Sequence, residues 1–249
     1  MPGFVNTKVY IHEFIDIVGQ NRARYMHHMT ANWCPVAIEE RNQLCFGVWG
    51  TVGSTGRWPE VVNMWELDGW DGLAANFGHE LSHDSLQDPS LAEWWSTAAE
   101  LRRGGTDRIM VPEPWTDAID QLVEREVRGA VYAHELMATP PGSSREVLAQ
   151  LHDEARPLVE SLGLACVGAF NVAMVNDAEC LAIWALPDWS SWVRYEQAWD
   201  PSGAMRPWAD FLARSGTTLA RTLLVDAPLA PLRLGRQPSV ADRRPLADI

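Results

Sequence analysis

Val9-Tyr10-Ile11-His12-Glu13-Phe14, near the start of the chain, is answered 122 residues later by Val131-Tyr132-Ala133-His134-Glu135-Leu136, with four of six positions identical. Further anchors follow in the same order. Leu44-Cys45-Phe46-Gly47-Val48-Trp49 matches Ala165-Cys166-Val167-Gly168-Ala169-Phe170 at an offset of 121, and Trp65-Glu66-Leu67-Asp68-Gly69-Trp70 matches Trp184-Ala185-Leu186-Pro187-Asp188-Trp189 at 119. The run from Trp95 to Arg103, followed by Gly104-Gly105-Thr106, corresponds to Trp208 to Arg214 followed by Ser215-Gly216-Thr217. Ordered anchors with a slowly drifting offset identify an internal duplication.

Each half reads as β-α-β-β-α-β. In the first, strands are predicted over 8–15, 43–52, 60–67 and 107–111, with helices over 20–32, 70–83 and 90–103. In the second, an alternating strand at 130–137 leads into a helix whose apolar stripe is Leu148, Leu151, Ala155 and Leu158, with Pro157 placed to bend it. Strands at 164–175 and 179–186 flank the turn pair Asn176-Asp177, and the last strand runs over 217–225. The fold class is therefore α+β: two fused ferredoxin-like modules, 8–111 and 129–225, pairing their sheets within one polypeptide. Residues 112–128 form the linker. The Pro- and Arg-rich stretch 226–249 has too few apolar residues for a core of its own and is read as an extended tail, draped over the barrel or disordered.

Composition narrows the partners. A chain of 249 residues with 47% hydrophobic and 21% charged content is ordinary for a globular protein. Its net charge of -13 argues against nucleic acid or an anionic membrane as partner. With neither a leader-like N-terminus nor a long apolar run, the chain is read as cytoplasmic. The four cysteines show no metal-ligand spacing and are expected to be reduced thiols. Thirteen tryptophans is a high count; most are expected in the core, and two or three to line a pocket for a flat, apolar or aromatic small molecule. A homodimer is left open.

The Val-Tyr opening strand, Gly47-Val48-Trp49-Gly50, Val61-Val62-Asn63-Met64-Trp65-Glu66 and the Leu101-Arg102-Arg103 ending together resemble the NIPSNAP family of the dimeric α/β-barrel superfamily. The resemblance covers about 8–111 closely and 129–225 more loosely. It implies two ferredoxin-like modules enclosing cavities between sheet and helices. Superfamily members include cofactor-free monooxygenases, cyclases, isomerases, haem enzymes and ligand-binding domains, so the fold does not choose a reaction. His12 and Glu13 stand where the family strand more often carries an apolar residue and Arg.

His12 and His134 repeat with their acidic neighbours, Glu13 and Glu135. Adjacent strand residues point to opposite faces, so only one member of each pair enters a given pocket. The face of Tyr10 and His12 is taken as the cavity face, because Val9 and Ile11 suit packing against helices. A second constellation is the stripe Tyr25, His28, Met29, Asn32, with His27 beside it and Trp33 at its end; its polarity belongs to the first half alone. The catalytic candidates are therefore His12, Glu13, Tyr25 and His28. The substrate-binding candidates are Tyr10, Asn32, Trp33, Trp49, Asn63, Trp65 and His134. No cofactor is expected; haem held by a histidine of the helix stripe is the alternative.

His79-Glu80-Leu81-Ser82-His83 formally matches H-E-x-x-H. Asp84 and Asp88-Pro89 break the helix where a zinc protease needs it to continue, so no protease metal is expected, and a non-proteolytic ion is left open. The function expected is acid/base chemistry (cyclisation, isomerisation or dehydration) or cofactor-free oxygenation of an apolar or aromatic metabolite. The alternatives are a non-catalytic binding or assembly module and a haem-dependent dehydratase or oxygenase.

Overall fold

The structure, a computed structural model, describes residues 5–249. Its first half contains β1 (Val9–Ile17), α1 (Arg22–His27), α2 (Cys34–Arg41), β2 (Leu44–Thr51), β3 (Glu60–Leu67), α3 (Gly69–Leu81), α4 (Ala92–Leu101) and β4 (Arg102–Pro112). A connecting helix, α5 (Ile119–Glu124), leads to the second half: β5 (Val131–Ala138), α6 (Ser144–Gln150), α7 (Arg156–Ser161), β6 (Ala165–Ala173), β7 (Glu179–Leu186), α8 (Trp189–Ala198), α9 (Arg206–Ser215) and β8 (Thr218–Asp226). A short α10 (Pro231–Leu234) lies in the tail.

The eight strands close into one barrel in the order β1-β3-β2-β8-β5-β7-β6-β4. Each half contributes the same four-strand order, and two antiparallel seams join them. At one seam Trp49, Gly50 and Thr51 face Asp226, Val225 and Leu224; at the other Ile109 to Pro112 face Ala173 to Phe170. Closure leaves no free sheet edge and gives the duplicated sequence a pseudo-twofold relation.

The repeat also preserves a defect. The register of β2 against β3 shifts between Cys45 and Gly47, and that of β6 against β7 shifts between Cys166 and Gly168. Each glycine lies beneath the ring two residues on. A Cβ on Gly47 would sit 2.0 Å from the Trp49 ring, and one on Gly168 2.4 Å from the Phe170 ring. Both bulges thus swing an aromatic into the barrel. Gly47→Ala is expected to displace Trp49 and cost about 3 kcal/mol, the upper part of the range for overpacking, measured by urea unfolding.

Three apolar clusters follow from the strand alternation. One fills the barrel with Tyr10, Phe46, Trp49, Met64, Tyr132, Phe170 and Ile183. The other two lie outside it, one per half, between sheet and helices. The predicted helix over 20–32 continues to Arg41, through a π-helical turn at His28–Trp33. Pro35 has no N–H to return to Ala31, and a looser turn absorbs the missing bond. Pro157 has the same relation to the π-helical turn Leu151–Ala155 in the second half. The carbonyl of Ala31 is taken instead by Arg243 Nε at 3.2 Å.

That contact belongs to a tail that lies along the first half. The Gln237 side chain brackets the Cys45 backbone, accepting from its N–H at 3.1 Å and donating to its carbonyl at 2.9 Å. The Arg244 N–H donates to His27 Nε2 at 3.2 Å. Among the described residues no helix is long and apolar enough to cross a membrane.

Candidate active site

Alternation along β1 sends Ile11 and Glu13 outward toward the helices, and Tyr10 and His12 into the barrel. The outward face opens a cavity of about 470 Å³ between the first sheet and the helical segment 28–41, α3 and α4, a volume suited to a small organic molecule. Its walls include Ile11, Met29, Trp33, Trp65, Phe77, Leu81, Trp94, Trp95 and Ile109. Against this apolar lining stand Glu13, Arg41, Glu80, Arg102, Asp107 and Arg108, with Val175 reaching in from the second half.

Glu13 is the carboxylate held at the cavity floor. Its Oε2 accepts from Trp65 Nε1 at 2.7 Å and from Asn63 Nδ2 at 2.9 Å, while Asn63 also donates to the Tyr25 hydroxyl at 3.0 Å. Among the described residues nothing donates to Oε1, so one oxygen is anchored and the other is left for a ligand. Burial raises the Glu13 pKa above its ordinary 4.5, and Asp107, paired with it across β1 and β4, raises it further; the Trp65 and Asn63 bonds and Arg102 oppose this. The result is a carboxylate more basic than a surface glutamate.

The second half shows the same device closed. Glu135 Oε2 accepts from Trp184 Nε1 at 2.9 Å, but its Oε1 is occupied by the Tyr195 hydroxyl, and the residue is fully buried. The cavity there shrinks to about 210 Å³, with Tyr195 in its wall and the Arg221–Glu196 ion pair across it. At the offset of 119 that aligns Trp70 with Trp189, Tyr195 corresponds to Asn76. Asn76 donates to Gln43 Oε1 at 2.7 Å and leaves Glu13 uncovered.

The remaining sequence candidates separate cleanly. Trp33 and Trp65 line the cavity, and Asn63 and Tyr25 stand behind Glu13. His28 is placed behind Trp94: its Nε2–H donates to the Trp94 carbonyl at 3.2 Å, its Nδ1 accepts from Asn32 at 3.1 Å, and its ring stacks on Trp94 at 4.9 Å. Tyr10, His12, Trp49 and His134 are corrected: all four lie in the filled barrel interior, not in the cavity. The reason is that the cavity forms between sheet and helices, on the face where Val9 and Ile11 do pack. The two imidazoles stack at 5.8 Å, and none of their four nitrogens has a hydrogen-bond partner among the described residues. Burial lowers the pKa of His12 to about 3 and that of His134 well below 6.5, so both are neutral in the folded chain.

A haem does not fit these residues. Both His28 nitrogens are engaged, His27 Nε2 accepts from the tail, and no histidine lines the cavity. Nor does Glu80 serve as the base of a zinc protease, since it is paired with Arg41, whose side chain is 3% exposed. Trp94, Trp95, Arg102 and Asp107 are not among the site candidates that the sequence offers. The signal for Asp107 was its alternation with Ile109 opposite Glu13, whereas the tryptophans gave none beyond their number.

No protein-family model matches the chain, and no curated protein matches it. Solved structures do. An anthrone oxidase-like protein superposes with a TM-score of 0.58 at 12% identity, covering 88% of this chain and 92% of its own. A proposed monooxygenase from Lactobacillus acidophilus gives 0.55 at 9% identity, covering 89% and 97%. A proposed chlorite dismutase gives 0.52 at 12% identity, covering 92% and 98%. At such identities the likeness concerns architecture: the chain has the dimeric α/β-barrel fold, with both ferredoxin-like halves in one polypeptide.

Proposed function

We propose that the first-half cavity is the active site of a small-molecule enzyme, in which Glu13 removes a proton from an apolar or aromatic substrate and the resulting anion reacts with molecular oxygen. The observation that carries this reading is the contrast between Glu13 and Glu135: one oxygen of Glu13 is free in an open, tryptophan-lined cavity, while both oxygens of Glu135 are occupied. A scaffold that only binds has no need for a desolvated, unsatisfied carboxylate. The oxygenase form draws on the fold shared with an anthrone oxidase-like protein and proposed monooxygenases. The finer NIPSNAP assignment rests on the short strand motifs quoted above.

The chemistry needs a substrate whose proton is acidic enough for a carboxylate, such as a methylene or phenol conjugated to a ketone. Transfer to Glu13 Oε1 leaves a delocalised anion stacked among Trp33, Trp65 and Trp94, with Arg41 and Arg102 in the same walls to favour its charge. Oxidation of a methylene then balances as CH2 plus O2 giving C=O plus H2O: the anion adds O2 and takes its proton back as a hydroperoxide, Glu13 removes the remaining C–H proton as the O–O bond breaks, and that proton goes to the departing hydroxide to make water. No metal or flavin is required, because the substrate anion supplies the electrons.

The test uses anthrone, naphthols and hydroxyanthraquinones, followed by tryptophan quenching and by oxygen uptake. Binding of one ligand per chain and protein-dependent oxygen consumption with at least one of them are expected. Asn76→Tyr places in the first half the side chain that closes the second, and is expected to weaken binding at least tenfold with little change in melting temperature. Unchanged binding in that variant would move the ligand out of this cavity.

A further inference from the structure

H-E-x-x-H is not a protease signature here, yet both of its histidines converge on a third donor. His79 lies in the last turn of α3, and His83 lies just beyond the helix end. Asp88, which caps the 3₁₀ turn Pro89–Leu91 leading into α4, comes back to meet them. One donor atom from each of His79, His83 and Asp88 can be chosen so that all three lie within 4.8 Å of one another. We propose that these three residues bind a late first-row divalent metal, with zinc as the probe, and that the ion clamps the end of α3 to the start of α4.

Several features suit the site to a metal. Two imidazoles and one carboxylate form the mixed nitrogen and oxygen set that zinc takes, with a fourth position left to water. Asp88 is nearly buried and already oriented: its Oδ1 accepts from Ser90 N–H at 2.9 Å and Ser90 Oγ–H at 2.7 Å, which turns Oδ2 toward His79. Such outer partners are what holds a ligating carboxylate in place. His79 Nε2 and Asp88 Oδ2 are 2.9 Å apart, within hydrogen-bond distance. Tetrahedral ligands at about 2.0 Å from zinc stand roughly 3.3 Å apart, so the His79–Asp88 pair adjusts by a few tenths of an ångström, while the trio, whose donor atoms lie within 4.8 Å of one another, draws together by rotation of the His83 ring. The His83 ring has no hydrogen-bond partner among the described residues and is partly exposed, which leaves it free to ligate.

Arg41 is the nearest opposing charge, 3.7 Å from Asp88 Oδ2, but it is matched by its closer partner Glu80. The three charges together remain net negative, as a cation site requires. The clamp has a structural consequence. α3 carries Phe77 and Leu81 and α4 carries Trp94 and Trp95, so the ion would fix the two helices that form the outer wall of the cavity.

The experiment is a calorimetric titration of chelator-treated protein with zinc, and separately with magnesium, alongside thermal melts. One zinc per chain and a higher melting temperature with zinc are expected. His83→Ala should weaken zinc binding at least tenfold without changing the melting temperature of the metal-free protein, because that ring makes no bond to lose. Asp88→Asn should also weaken it. Failure to bind zinc stoichiometrically, equal affinity for magnesium, or zinc binding that survives both His79→Ala and His83→Ala would overturn the site.

Discussion

Glu13→Gln is expected to lower kcat/KM for the substrate by about 10² to 10⁴, the loss that follows removal of a positioned general base. Glutamine keeps an acceptor for Trp65 and Asn63, so the fold and the cavity should survive and the melting temperature should move little. The wild-type pH profile carries the same information. Only ionised Glu13 accepts a proton, so activity should rise with pH, with a midpoint above the ordinary 4.5, because burial first and Asp107 second raise its pKa. Glu13→Gln should lose that limb. Glu135→Gln should do the reverse: turnover is kept, and stability falls by about 1 to 3 kcal/mol as the amide fails to satisfy Tyr195 or Trp184. Equal loss of turnover in both variants would end the assignment of one working half.

The stacked imidazoles set the second large effect, on stability in acid. His12 and His134 are buried neutral, so below about 6.5 the unfolded chain takes up protons that the folded chain refuses. The stability they permit is therefore full above 6.5 and is lost as pH falls toward the folded value of His12, about 3. Each contributes a slope of about 1.4 kcal/mol per pH unit in that window. Raised carboxyl groups act in the opposite sense: Asp226, pushed up to about 7 by burial, takes up its proton in the folded state first. The histidine contribution must be read as a difference. The double variant His12→Leu, His134→Leu should gain about 4 kcal/mol on the wild type between pH 8 and pH 5, measured by denaturant unfolding at each pH. A difference that does not change with pH would show that the native imidazoles take up protons as they do in the unfolded chain.

The duplication was legible because its anchors are structural: the bulge glycines, the aromatic that follows them, and the strand alternation recur in both halves. The cavity face was not. Both faces of β1 are buried, one against helices through Val9, Ile15 and Ile17, the other in the barrel through Tyr10 and His12. With no solvated face, alternation shows that His12 and Glu13 part company but not which of them meets a ligand. The helix stripe fared similarly. A regular helical period groups Tyr25, His28 and Asn32, whereas the π-helical turn before Pro35 places His28 and Asn32 against Trp94 rather than at the cavity surface. The asymmetry between halves was visible in that helix, yet its decisive residue lies elsewhere, in the exchange of Tyr195 for Asn76.

A crystal structure of the chain with the tightest-binding polycyclic phenol or ketone tests the central claim most directly. The ligand is expected between the outer face of β1 and the α3–α4 wall, stacked on Trp65 or Trp94, with its acidic group within hydrogen-bond reach of Glu13 Oε1. Density in the second half beside Tyr195, or a ligand in the first cavity whose acidic group turns away from Glu13, would contradict it.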